Sequence, residues 1–162
     1  VVPVLTHVPI KHVAKKLKSK LIEKKIITVN NFYKKFLSKK PKIAVLGLNP
    51  HNSEFSPLSE ENKIIIPSIK KLRKKYKIIG PFSADTIFLN KKKYMYDVVI
   101  GMYHDQVLAP FKTMYNFDAI NITLGLKYIR ISPDHGIAKD IIGLNKASPL
   151  SLIRSIEFIL KI

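Results

Sequence analysis

Short, nearly unbroken apolar runs alternate along the chain with longer stretches in which apolar residues recur every three or four positions. Val1–Thr6, Lys42–Leu48 ("KIAVLGL") and Asp97–Tyr103 are runs of the first kind, the pattern of strands buried on both faces. Ile78–Gly80, Ala119–Leu124 and Tyr128–Ser132 are further strand candidates, the last two separated by "GLK". Lys11–Lys25 and Thr28–Lys39 predict two helices, with Thr28 capping the second and Pro41 beyond its end. Ser59 predicts the cap of a helix reaching Tyr76. Glu60 and Glu61 fall in its first turn, where the helix dipole favours carboxylates, and Pro67 kinks or divides it. "PFSADTIF" reads as a turn into a short helical piece, and Asp105–Tyr115 as a helix weakened by Pro110. Gly136–Ile142 and Pro149–Lys161 predict the last two helices. Strand–helix alternation of this kind implies an α/β fold with a mostly parallel sheet and flanking helices.

Open α/β sheets bind ligands at the carboxyl ends of their strands. Three of the five histidines stand there: His7, His51 and His104 each follow the end of an apolar run. Brought to one rim, three imidazoles could hold a divalent metal and leave coordination positions for substrate or water. The plainer alternative is that each is an unrelated polar residue closing a strand. His12, in a Lys-rich helical stretch, is read that way.

Length and composition set the outer limits. The chain has 162 residues, 46% of them hydrophobic, enough for a real core and for one domain or part of a larger one. It has no cysteine, so neither disulfides nor thiolate metal sites arise, and no apolar run approaches the roughly 18 residues of a membrane span. The start lacks a charged leader, a cleavage site and an initiator Met, and it lies inside a strand-like run. A cytoplasmic protein with further sequence upstream is expected. The formal charge of +18 raises the prospect of nucleic acid, but only three of the 29 basic residues are Arg. The Lys runs "KKLKSK", "KKLRKK" and "KKK" fit solvated faces, and no aromatic stacking platform interleaves them. Specific nucleic-acid binding is therefore not expected, whereas attraction of a small anion is.

Beyond these patterns, "LTHVPI", "GLNPH", "GPFSADTIF", "MYHDQ" and "NITLGLKYIRISPDHGIA" occur in an order that resembles the 4-hydroxythreonine-4-phosphate dehydrogenase family of pyridoxine biosynthesis. The likeness runs from about Val4 to Ile162 and corresponds to the C-terminal half of that family. An N-terminal half is accordingly expected to precede Val1. The resemblance implies an isocitrate/isopropylmalate dehydrogenase-like fold, two α/β domains flanking a cleft, in a homodimer whose active site lies at the interface. It implies oxidation of the secondary alcohol of 4-phosphooxy-threonine with NAD or NADP, followed by loss of carbon dioxide to give 3-amino-2-oxopropyl phosphate.

Residue by residue, the resemblance implies metal ligands at His7, His51 and His104, the third reaching the site from the other subunit. The metal is zinc, manganese, cobalt or magnesium. Substrate contacts are implied at Lys112, Asn121 and Arg130, whose types suit a phosphorylated amino acid: a compact cation, a neutral donor and acceptor, and a bidentate fork. "DHGIAKDIIG" resembles the loop holding the adenosine part of the dinucleotide, which implicates His135 and Gly136. Gly136 would allow close backbone approach at a helix start. Asp105 and Asp85 are candidates for orienting a ligand or moving a proton, and no catalytic residue is assigned.

The stretch after "GLNPH" departs from the family. A Gly-rich run is usual there, whereas this chain has "NSEFSPLS", which cannot adopt positive-φ turns as cheaply and is expected to change shape. Ile137 also stands where a small polar residue is common. Two alternatives follow: a truncated relative that folds without catalysis, or a basic nucleic-acid-binding module. The altered loop favours the first of these; His7, His51, His104, Lys112, Asn121 and Arg130, all present, favour the enzyme.

Overall fold

The computed structural model describes residues 1–89 and 96–162; the Lys91–Lys93 run, read above as a solvated face, lies outside them. The chain divides into two compact units, Val1–Pro110 and Phe111–Ile162.

The first unit holds β1 (Val2–Leu5), a short α1 (Val13–Lys16), α2 (Ser19–Phe36), β2 (Ile43–Leu46), α3 (Ile66–Arg73), β3 (Ile78–Phe82) and β4 (Val98–Tyr103), followed at once by α4 (His104–Tyr115), which carries the chain into the second unit. The four strands pair in the order β1-β4-β2-β3 and are all parallel. This order decides which strand ends are neighbours. β4 lies between β1 and β2, so the three strands that end before His7, His104 and His51 are neighbours with their carboxyl ends on one edge.

Among the described residues the sequence pattern locates every strand and misplaces some helix boundaries. Thr28 is no N-cap: α2 is one continuous 18-residue helix. Ile22, Ile26 and Val29 form an unbroken buried stripe through that position, and burying each is worth about 2 kcal/mol, more than a cap preference. The chain breaks earlier, at Leu17, which is extended (ψ 127°) and fully buried. Ser59 does cap, its Oγ accepting from Asn62 N at 3.3 Å. Pro67 does not end the helix: a π-turn over Glu61–Ile65 runs directly into α3, which has the proline in its first turn, and the backbone stays right-handed helical at Ile65 and Ile66. Ala84–Leu89 forms turns rather than a helix, anchored by Ile87 in a core cluster with Ala44, Leu46, Val99 and Val107.

The second unit is an antiparallel hairpin, β5 (Ile120–Thr123) with β6 (Arg130–Pro133), and a helix against it, α5 (Leu150–Ile159). Ser151 ties the pieces: its Oγ donates to Ala119 O and accepts from Asp134 N at 2.8 Å. The helix expected over Gly136–Ile142 does not form. Only a 3-10 turn at Lys139–Ile141 appears, with no residue buried in it and Ile137 and Ile142 exposed. A short helix that buries no apolar face has nothing to offset its nucleation cost. Among the described residues no helix is long and apolar enough to cross a membrane.

Candidate metal and anion site

Parallel pairing brings two of the histidines together. Leu5 of β1 is in register with Tyr103 of β4, so His7 and His104 leave adjacent strands at nearly the same level. Their ring centroids are 5.9 Å apart with planes at 63°. Two imidazoles on one tetrahedral ion, each with nitrogen ~2.1 Å from it, hold their centroids roughly 5 Å apart, so this pair stands close to ligating geometry. Asp105 completes the orientation of His104, its Oδ1 lying 2.6 Å from Nδ1. A carboxylate only accepts, so in a neutral His104 ring this contact favours the tautomer with its proton on Nδ1 and Nε2 open to a ligand, the usual arrangement around metal-binding histidines.

His51 is on the loop after β2 and is exposed. It does not join the pair: among the described residues no group of three His, Cys, Asp or Glu is gathered closely enough to hold a metal. The near neighbour of His7 within this chain is thus His104. The loop itself shows what the missing glycines would have eased. His51, Asn52, Ser53, Glu54 and Phe55 all take φ between 46° and 57°. Left-handed backbone costs a residue with a side chain about 1–2 kcal/mol, so the expected expense is real, yet the loop adopts positive φ all the same.

What holds the turn leading into this loop was not visible in the pattern. Glu61, assigned above to a helix dipole, instead turns inward and is fully buried. Its Oε1 accepts from Leu48 N at 2.7 Å and Asn49 N at 2.8 Å, and its Oε2 from Asn49 Nδ2 at 3.0 Å. Burial pushes the carboxyl pKa up, but the donors from Asn49 and Leu48 outweigh it and hold it below its ordinary 4.5. A depressed native value stabilises the fold above the unfolded value and loses that contribution as pH falls through the native one. Glu61→Gln is therefore expected to be the less stable chain at pH 7 by about 1–2 kcal/mol, with the gap closing below about pH 4.5. Urea unfolding at several pH values checks this; parallel curves for the two chains would contradict it.

On the other side of the same turn sits Gln106, which is also buried and which sequence reasoning passed over inside "MYHDQ". Its Nε2 donates to Gly47 O at 2.8 Å and its Oε1 accepts from Met102 N at 2.7 Å. A Cβ at Gly47 would lie 2.0 Å from Asn52 Oδ1, so a side chain there would displace the Asn52 carboxamide. Asp85 is exposed in the turn after β3.

The second unit presents the expected anion-binding residues. Asn121 pairs with Ser132 and Thr123 with Arg130 across the hairpin, so Asn121 and Arg130 share one face, and both are exposed. Arg130 donates to Thr123 Oγ1 at 3.4 Å. Lys112 donates to Asp134 O at 2.9 Å, with its Nζ also 3.2 Å from Asp134 Oδ2. His135 is exposed, its Nδ1 lying 3.0 Å from Gly136 O. Gly136 has open space where a Cβ would stand and begins no helix.

Over almost its whole extent the chain also matches a known family. The family model for the pyridoxal phosphate biosynthetic protein PdxA matches residues 1–159. The chain belongs to the PdxA family. It is 45% identical over 157 residues to the 4-hydroxythreonine-4-phosphate dehydrogenase of Sulfurihydrogenibium sp. (strain YO3AOP1), covering 95% of this chain and 48% of that protein. It is 46% identical over 160 residues to that of Bradyrhizobium diazoefficiens, covering 97% and 46%. The crystal structure of the Klebsiella pneumoniae 4-hydroxythreonine-4-phosphate dehydrogenase superposes with a TM-score of 0.81 at 38% identity, covering 95% of this chain and 47% of that one. The chain thus spans about half the length of the PdxA-family proteins it matches, and the α/β architecture with its parallel sheet is that of their corresponding half.

Proposed function

We propose that this chain supplies the metal-ligand and substrate-anion groups of a metal-dependent, NAD- or NADP-linked dehydrogenase that oxidises 4-phosphooxy-L-threonine in pyridoxine 5'-phosphate biosynthesis. The product, 2-amino-3-oxo-4-phosphooxybutanoate, then loses carbon dioxide to give 3-amino-2-oxopropyl phosphate. The observation that carries the reading is the His7–His104 pair, with His104 oriented by Asp105, at the edge of a sheet whose next strand leads to His51.

His7 and His104 would hold a divalent ion, with His51 as the third ligand. Neutral imidazoles without thiolates suit zinc, and manganese, cobalt and magnesium are the alternatives. Such an ion, when bound, acidifies a coordinated alcohol and polarises the carbonyl formed from it. A bound nicotinamide would supply the hydride acceptor. Asp105 keeps His104 in the tautomer whose Nε2 is free. Arg130 offers a fork for phosphate or carboxylate, Asn121 a neutral donor beside it, and Lys112 a point charge presently satisfied by Asp134. His135 and Gly136 are the proposed dinucleotide contacts. A cytoplasmic homodimer with the site at its interface belongs to the same reading.

The test is formation of reduced nicotinamide from 4-phosphooxy-L-threonine and NAD or NADP in the presence of zinc. Turnover that a chelator abolishes and zinc restores is expected. Turnover indifferent to chelation, or the absence of both turnover and zinc uptake, would contradict the proposal.

A further inference from the structure

The ladder between β2 and β4 ends with Val45 opposite Ile100. Two residues further on, Gly47 O and Met102 N face the gap left by the diverging strands, and the carboxamide of Gln106 fills it. One amide thereby stands in for a backbone rung: Oε1 accepts from one strand and Nε2 donates to the other. Gln106 comes from the first turn of α4, two residues after His104, and Gly47 lies four residues before His51. A single buried side chain therefore connects the two strand ends that lead to His104 and His51.

The surroundings leave that side chain little freedom. A Cβ at Gly101 would meet Val107 Cγ1 at 2.4 Å and Gln106 Oε1 at 3.0 Å, so β4 accepts α4 only because it has glycine there. Glu61 grips the next two amides, Leu48 N and Asn49 N, from the opposite side. The turn from Gly47 to Asn49 is thus fixed at both ends before Pro50 directs the chain into the left-handed loop.

From this geometry we infer that Gln106 is a positioning residue: it bridges the open carboxyl ends of β2 and β4 and sets where the histidine-bearing rim stands. Its consequence for metal rests on the histidine reading above; its consequence for the geometry does not. Leu has nearly the volume of Gln but cannot bridge the strands, and it leaves Gly47 O and Met102 N without their partner.

The experiment compares the unsubstituted chain, Gln106→Leu and Ser68→Ala, the last a control at another buried polar residue whose Oγ bonds only its own helix, to Ile64 O. Two quantities are read: the zinc dissociation constant, and the magnetisation transfer between the ring protons of His7 and His104. Gln106→Leu is expected to weaken zinc about 10- to 100-fold and to diminish the ring contact, while Ser68→Ala changes neither. Wild-type zinc affinity together with an undiminished ring contact in Gln106→Leu would overturn the inference, as would equal changes in the control. If the unsubstituted chain takes up no zinc, the histidine reading falls and the ring contact alone decides the role of Gln106. Gln106→Asn, one methylene short, replaces the Leu variant if that one does not fold.

Discussion

Replacing His104 with alanine is expected to weaken zinc binding by about 100-fold or more, equivalent to about 2.7 kcal/mol. His104 is the best-prepared ligand in the chain. It starts α4 directly after a buried strand, faces His7 at 5.9 Å, and has its Nδ1 engaged by Asp105. Removing it leaves His7 without its neighbour and Asp105 without the ring it orients. His12→Ala provides the contrast: that residue lies in the short 3-10 turn before α1, and its loss is expected to leave zinc affinity unchanged. His51→Ala is expected to fall between them, because the chain does not gather His51 to the pair. Titration of the three variants checks the order, and a His104→Ala chain that binds zinc as tightly as the parent would remove the basis for the site.

Gly101→Ala is expected to cost about 3 kcal/mol of stability, a steep penalty for one methyl group. The residue is buried in β4 opposite Pro3 of β1. The added Cβ meets Val107 Cγ1 at 2.4 Å, and Val107 is fully buried in the core cluster, so neither side can yield cheaply. The first turn of α4 would have to move, taking Gln106 and His104 with it. Urea unfolding should show a lower midpoint at an unchanged slope. A loss under about 0.5 kcal/mol would mean that α4 docks more loosely than the packing implies.

Much of this arrangement was legible in the sequence, for reasons that differ by element. Buried parallel strands announce themselves as continuous apolar runs, and their ends mark where ligands gather, so His7, His51 and His104 could be singled out from position alone. Motif order then pointed to a family, and the family model and relatives bear that out. The single helix α2 was misread because a residue suited to capping, Thr28, sits within an apolar stripe whose burial decides the outcome. The missing helix at Gly136–Ile142 is the converse: its apolar residues had the right spacing but no surface to bury against.

Less legible were the polar residues that work from inside. Glu61 looks like any acidic residue in a first helical turn, and Gln106 like part of a surface helix. Their roles depend on amides brought near only by the strand order β1-β4-β2-β3, which no local pattern encodes. The left-handed loop was half legible. Its cost could be foreseen from the missing glycines, whereas the two clamps that fix the turn before it could not.

The most direct test of the central claim is X-ray absorption at the zinc edge of the metal-loaded chain. The account predicts one tightly held ion per chain with imidazole ligands at ~2.0–2.1 Å, and fewer imidazoles per zinc in His104→Ala. Zinc surrounded only by oxygen ligands, or an imidazole count unchanged by the His104 substitution, would contradict it.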